Sequence, residues 1–156
     1  MMFSAIDHPA IFTSQIQRLI DWYCGAMGMQ VLASNGKTPP NVLLGYDREM
    51  GGGQDVPLTG ATAPYAIEGW RVARGTVLEL CYTKDTQPAP ADVSQLAPGL
   101  RHLAFRVANL DTACAQLQAA GVSFLGPASS ALGGGRLISF RDPEGNELQL
   151  VERDRS

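Results

Sequence analysis

The segments GLRHLAFRVANLDTACAQLQAAGVSF (residues 99–124) and GGGRLISFRDPEGNELQLVE (residues 133–152) decide the fold of this chain. The first begins with alternating apolar and polar side chains at 101–107, which predicts a strand. Asn109 then offers an N-cap, apolar residues recur at helical spacing, and Gly121 stands where a C-cap glycine is preferred. These signals predict a strand followed by an amphipathic helix.

Three more strands are predicted to complete this unit. Residues 122–125 predict the second strand, 136–141 the third and 146–152 the fourth. The sequence DPEG at residues 142–145 predicts a type I turn between the last two strands. Pro suits the second position of that turn, Gly suits the fourth, and Asp at the first can accept bonds from the backbone ahead. The predicted unit is therefore β-α-β-β-β.

The beginning of the chain repeats this pattern with matched spacing. His8 lies eight residues before Ile16, as His102 lies eight before Leu110, and each predicted helix ends at a glycine. Matched offsets of this kind indicate an internal repeat. Two unrelated strand–helix units with coincident spacing are the alternative, because amphipathic patterns are common.

Elements of the first copy follow from the same signals. Its first strand is expected to include Asp7, His8 and Pro9, and Thr13 or Ser14 is expected to cap its helix. Pro9 cannot donate to a ladder, which favours an edge position for this strand. The apolar face of the helix is predicted from residues at helical spacing, namely Ile16, Leu19, Ile20 and Tyr23. The remaining strands are predicted at residues 29–33, 41–46 and 76–83.

The two copies predict two modules of unequal length. Residues 1–85 form the first and 99–156 the second, and 86–98 are a linker that includes alternating Pro and Ala. The extra length of the first copy lies at 45–75, which is rich in Gly and has no sustained period. This segment predicts a long surface loop, which is either a lid over a ligand or a decorative insertion.

Composition limits the possible partners and compartment. The net charge is −3 and no basic stripe is present, which argues against binding to nucleic acid or to an anionic membrane surface. No segment has the length of a membrane span or the pattern of a leader peptide. The three cysteines are odd in number and lack metal-type spacing, so reduced thiols in a cytoplasmic protein are expected.

The fold class expected from these elements is α+β. Each module is predicted to form a four-stranded sheet with its helix on one face, and the two sheets to form a cupped, partly closed eight-stranded mixed sheet with the helices outside. His8 and His102 then occupy equivalent positions in the first strands, and Glu79 and Gln149 lie in the last strands. A carboxylate such as Glu79, between two leucines, is costly to bury unless it is paired, and a cation is one solution.

With these features the chain resembles the vicinal oxygen chelate superfamily. That group includes glyoxalase I, fosfomycin and bleomycin resistance proteins, extradiol dioxygenases and methylmalonyl-CoA epimerase. The resemblance is most specific in FRDPEGNELQLVE (residues 140–152) and in residues 102–122. It implies paired modules that form a cup and bind a divalent metal through the first and last strands of each module. The matching positions are His8, Glu79, His102 and Gln149.

The resemblance also implies a chemistry. Two imidazoles and a carboxylate suit Zn, Ni, Co, Mn or Fe(II), which would act as a Lewis acid on vicinal oxygens of a small-molecule substrate in a lyase or isomerase reaction. Glu79 is the catalytic residue that this set implies. Gln149 departs from the family pattern, in which Glu is usual. A neutral amide coordinates through its oxygen but cannot act as a base.

Four further residues are expected to contact the substrate. Three share the cup face by alternation along their strands, namely Arg106, Cys81 and Glu147, and Trp70 in the long loop would cover an apolar ligand. An arginine at the rim can hold a carboxylate or phosphate. The alternatives are a solvated Arg106 at the strand end and a Cys81 that packs rather than acts as a nucleophile, since no third histidine is present to activate it.

Three functions are compatible with the resemblance. The first is a metal-dependent enzyme of the glyoxalase type. The second is a metal-free module that binds a small molecule or antibiotic, as bleomycin resistance proteins do, since a strand histidine can be an ordinary hydrogen-bonded residue. An extradiol dioxygenase ranks last, because the chain has only two histidines and both are assigned to the metal. The family also implies a homodimer.

Overall fold

A computed structural model describes residues 8–47, 73–85 and 99–154. The chain divides into two compact units, Met1–Thr86 and Gln87–Ser156. In its described residues, each unit contains one α-helix and a four-stranded mixed sheet, which confirms the predicted α+β class. The predicted linker and most of the predicted loop at 45–75 lie outside the described residues. Within the described part of the chain, no helix is long and apolar enough to cross a membrane.

The two units have the same order of elements. Unit 1 contains β1 (Ala10–Thr13), α1 (Ile16–Gly25), β2 (Gln30–Ser34), β3 (Val42–Asp47) and β4 (Ala73–Tyr82). Unit 2 contains β5 (His102–Arg106), α2 (Leu110–Ala119), β6 (Ser129–Ser130), β7 (Arg136–Arg141) and β8 (Glu147–Glu152). The sheet orders are β1-β4-β3-β2 and β5-β8-β7-β6, and in each the first strand is parallel to the last while the other pairs are antiparallel.

Strand registers also correspond between the units. Glu79 of β4 is flanked by Ala10 on β1 and Leu43 on β3. Gln149 of β8 is flanked by Ala104 on β5 and Ser139 on β7. In both units the histidine lies two residues before that alanine. The matched spacing in the sequence therefore has a matched register in the sheets.

Alternation along β4 separates a core face from a second face. Leu78 and Leu80 are buried, and the residues predicted for the apolar face of α1 are also buried, namely Ile16, Leu19, Ile20 and Tyr23. Full burial of each large apolar side chain stabilises the fold by roughly 1.5–3 kcal/mol. Because side chains alternate across a strand, this packing turns Glu79 to the opposite face of the sheet.

The start of unit 1 differs from the prediction in two respects. β1 begins at Ala10, after His8 and Pro9, and Asp7 lies outside the described residues. Pro9 has no N–H, but its carbonyl accepts from the Glu79 N–H at 3.0 Å, so the ladder extends one bond beyond the strand. The cap prediction was wrong. Gln15 is the N-cap of α1, and the Thr13 hydroxyl instead accepts from the Gln15 N–H at 2.8 Å.

The predicted second strand of unit 2 is also wrong. Residues 122–125 contribute only a single bridge, from Phe124 to Phe140, and the ladder resumes at β6. The Leu125 N–H donates to the carbonyl of residue 139 at 2.8 Å. Pro127 then interrupts the pairing, since it has no N–H to donate.

The turn between β7 and β8 forms as predicted. The Gly145 N–H donates to the Asp142 carbonyl at 3.0 Å. The buried Asp142 carboxylate accepts from the Glu144 N–H at 3.0 Å and from the Asn146 N–H at 2.9 Å. This turn sets the register of β7 against β8, and it therefore positions the side chain of Gln149.

The start of α2 is held by two side chains. Asn109 is the N-cap, as predicted, and its Oδ1 accepts from the Thr112 N–H at 2.8 Å. Glu152 Oε2 accepts from the Leu110 N–H at 2.8 Å. Backbone N–H groups at the first turn of a helix otherwise lack intrahelical partners.

We expect Asn109→Ala to lower the free energy of unfolding by about 1 kcal/mol, because one of these N–H groups loses its acceptor. Asn109→Asp should retain most of the stability, since its carboxylate can accept the same bond. Urea unfolding followed by circular dichroism measures both variants. Equal losses in the two would show that the cap bond does not stabilise α2.

Candidate functional site

In unit 1, the predicted metal ligands lie side by side. His8 Nε2 is 3.1 Å from Glu79 Oε2. The side chains are 35 % and 28 % exposed, so a ligand from solvent can reach both. The backbone bond from Glu79 to Pro9 fixes the approach of the two chain segments. The pair is therefore built by the β1–β4 ladder.

This spacing fits a shared cation. Two ligand atoms that each lie about 2.0–2.2 Å from one Zn²⁺ are separated by about 3.4 Å at a tetrahedral angle and by about 3 Å at the right angle of a six-coordinate ion. Imidazole nitrogen and carboxylate oxygen are also ligand types that divalent transition metals accept. The two residues thus satisfy the separation and the chemistry that half of a metal site requires.

Cys81 lies next to this pair on β4. Its thiol is buried, and the pKa of that thiol is raised by desolvation and, secondarily, by the charge of Glu79 and a hydrogen bond to its carboxylate. A protonated thiol donates this bond and is a poor nucleophile. The geometry supports the packing interpretation of Cys81, together with a role in orienting Glu79.

In unit 2, the matching pair lies on neighbouring strands. His102 is exposed on β5, and Gln149 is half-buried on β8. Gln149 lies two residues beyond Glu147, the register partner of His102, and therefore on the same face of the sheet. Gln149 Nε2 donates to Ser139 Oγ at 3.2 Å. With the amide nitrogen committed to this bond, Oε1 is the atom of Gln149 that is suited to accept a hydrogen bond or to coordinate a cation.

Ser139 is a residue of this face that the sequence did not predict. Its neighbours Ile138 and Phe140 are buried, so alternation along β7 turns Ser139 to the face of Gln149. That alternation is the signal that identifies it, but the pairing partner becomes known only from the register of β7 and β8.

The two carboxylates on β8, Glu147 and Glu152, have different surroundings. Glu147 is half-buried and is the register partner of both His102 and Arg141. Within the described part of the chain, its carboxylate takes part in no hydrogen bond or ion pair. Arg141 Nη1 instead donates to a turn carbonyl at 2.6 Å. Glu147 thus shares the face of His102 and has acceptor capacity to spare.

Glu152 lies on the helix side of the sheet. It accepts from the Leu110 N–H, and its Oε2 is 2.9 Å from Arg136 Nη2. The helix N–H bond and then Arg136 lower the pKa of this carboxyl. Arg136 also pairs with Asp111 at 3.1 Å. Glu152 is therefore part of the α2 cap and is excluded as a site base.

The other predicted substrate contacts fall in different places. Arg106 is exposed at the end of β5, on the face shared by His102 and Gln149. Trp70 lies outside the described residues. Among the residues that the structure describes, no three His, Cys, Asp or Glu side chains form a cluster that could hold a metal ion. Each unit contributes at most two members of the predicted set.

Comparison with known proteins identifies the family. The family model described as the Glyoxalase/Bleomycin resistance protein/Dioxygenase superfamily matches residues 5–150. A curated relative, the uncharacterized protein YwkD of Bacillus subtilis, is 29 % identical over 154 residues, which cover 98 % of this chain and all of that protein. The chain belongs to this superfamily, which confirms the resemblance.

Solved structures share the fold. The glyoxalase family protein from Enterococcus faecalis matches with a TM-score of 0.68 and 24 % identity, covering 97 % of this chain and 100 % of that one. The trypanothione-dependent glyoxalase I of Leishmania major matches with a TM-score of 0.58 and 22 % identity, covering 93 % and 84 %. At such identities the likeness is one of fold.

Proposed function

We propose that this superfamily member is a glyoxalase-like metalloprotein in which His8, Glu79, His102 and Gln149 bind one divalent ion. Zn, Ni, Co, Mn and Fe are the candidate metals, and the ligand is a small molecule with two vicinal oxygens. The observation that carries the proposal is the 3.1 Å approach of His8 to Glu79, at ligand separation, in a family that includes glyoxalases. The matched positions of His102 and Gln149 extend it to the second unit.

The side chains have distinct roles in this proposal. A bound divalent metal would polarise the vicinal oxygens as a Lewis acid in lyase or isomerase chemistry. Glu79 is the carboxylate of the set, and it can accept a substrate proton when its oxygen is not committed to the metal. Gln149 cannot, because an amide is not a base. Glu147, on the same face, is the second group that can take a proton.

Arg106 is proposed to hold an anionic group of the substrate. It is exposed at the end of β5, on the same face as His102. A guanidinium pairs well with a carboxylate or phosphate, through two parallel hydrogen bonds. The three cysteines are unpaired, which agrees with the cytoplasmic location that we propose.

A metal-free binding protein is the second candidate. The hydrogen bond from Gln149 to Ser139 favours a metal-free protein. This bond gives the Gln149 amide a partner without a metal. Such a protein would bind a small molecule or an antibiotic through shape and hydrogen bonds alone. The close His8–Glu79 pair favours the metalloprotein.

Metal content decides between the two. We expect the purified, untagged protein to contain nearly one divalent metal ion per chain by inductively coupled plasma mass spectrometry. Glu79→Gln should lose most of that metal, because the amide keeps the shape but removes the charge of the ligand. Asp85→Asn makes the same chemical change at an exposed carboxylate and should retain the metal. Metal-free wild-type protein after reconstitution would contradict the proposal and support the binding protein.

A further inference from the structure

Phe12 is an exposed aromatic residue on the face of β1 that holds the candidate site. It is 64 % exposed, which is unusual for a side chain that buries so well. Its register partner is Cys81, and the preceding row on the same face pairs Ala10 with Glu79. Phe12 is therefore one row of the sheet away from the Glu79 carboxylate.

The residues on this face form a short series. His8, Ala10 and Phe12 follow at intervals of two, and a two-residue step along a strand is about 6.6 Å. The small, exposed Ala10 separates the histidine from the phenyl ring. A ligand whose oxygens lie at His8 and Glu79 would pass over Ala10 and bring its body against Phe12.

Unit 2 repeats this series with one change of chemistry. His102, Ala104 and Arg106 occupy the equivalent positions on β5, and all three are exposed. The last member of the series is thus an aromatic ring in unit 1 and a guanidinium in unit 2. Phe12 therefore gives unit 1 an apolar contact at a position where unit 2 carries a charge.

We propose that Phe12 binds an apolar, planar group of the ligand whose vicinal oxygens lie at His8 and Glu79. This inference rests on the proposed function, since it takes the His8–Glu79 pair as the place of the oxygens. A second copy of the chain covering Phe12 is the competing explanation of its exposure, and the test includes it.

The test compares two oxygen-chelating probes on the zinc-loaded protein by isothermal titration calorimetry. Acetohydroxamate carries a methyl group and benzohydroxamate carries a phenyl ring, but both present the same oxygen pair. We expect the wild type to prefer benzohydroxamate. Phe12→Ala should weaken benzohydroxamate binding about five- to tenfold, the range of one good aromatic contact, and leave acetohydroxamate binding unchanged. Leu132→Ala, which removes a 95 % exposed leucine elsewhere, should change neither.

Each other outcome overturns the inference in a recognisable way. Unchanged probe selectivity in Phe12→Ala, with metal content intact, rejects the role of Phe12 and leaves the proposed function standing. A shift of Phe12→Ala to a smaller species by light scattering, without a change in selectivity, shows that Phe12 is a contact between copies. Absence of metal from the reconstituted wild type rejects the proposed function, and the inference falls with it.

Discussion

Gly135→Ala is expected to lower the free energy of unfolding of the protein by about 2–4 kcal/mol, from a left-handed backbone combined with steric overlap. Gly135 has a φ of +92°, a conformation that L side chains rarely adopt. A Cβ at this position would overlap the Glu152 carbonyl oxygen and lie 2.8 Å from Arg153 Cα. Those neighbours are backbone atoms of β8 and its end, so the strands must separate to admit a methyl group.

Gly133→Ala is the matched control for this substitution. Gly133 also has a positive φ, +83°, but the nearest atom to its Cβ would be Arg153 Nη1 at 3.6 Å, at the end of a flexible side chain. Gly133→Ala should therefore lower the free energy of unfolding only by the penalty of a positive φ, roughly 1–2 kcal/mol. Urea unfolding of both variants separates the shared backbone term from the overlap. Equal destabilisation would mean that β7 and β8 relax at little cost.

Local periodicity was sufficient to predict most of the fold. Ile16, Leu19, Ile20 and Tyr23 recur at helical spacing, and the structure buries all four. β7 begins and ends where alternation predicted, at Arg136 and Arg141. These elements are well predicted because one face of each is buried, and burial imposes the period of the element on its sequence.

Elements without a strong period were not predicted. β6 has two exposed serines, and the apolar run before it makes only one bridge because Pro127 ends the pairing. The α1 cap failed for a related reason. A hydroxyl such as that of Thr13 can bond to several nearby N–H groups, and the sequence does not specify which one it chooses.

The sequence predicted which face of the sheet each site residue occupies, but it did not predict every side chain that these residues contact. Alternation placed Cys81 on the face of Glu79 and Glu147 on the face of Gln149, as the structure has them. The repeat suggested that His8 belongs with Glu79, and the parallel β1–β4 ladder places them in contact. Ser139 was not identified, because a hydrogen bond across two strands depends on their register, which the sequence of one strand does not contain.

The largest effect on metal binding is expected from either histidine substitution. If one ion is shared by both units, His8→Ala and His102→Ala should each weaken its binding at least about 100-fold, beyond the 10- to 100-fold effect of outer-shell partners. Circular dichroism should show both variants folded, because both imidazoles lie at partly or fully exposed positions. Equilibrium dialysis against a buffered zinc series measures the affinity.

Stoichiometry and mixing then test how the two units cooperate. A separate ion in each unit would leave each variant with one ion of two, which would contradict the shared site.

In a homodimer whose sites combine unit 1 of one protomer with unit 2 of its partner, refolding the two variants together creates mixed dimers. One site in each mixed dimer then has both histidines, so part of the metal binding returns. If each site forms within one chain, every chain in the mixture lacks a histidine, and none returns. Refolded wild type serves as the reference for recovery. Because the chain has no other histidine to substitute for either residue, full metal retention in both single variants would eliminate the proposed ligand set.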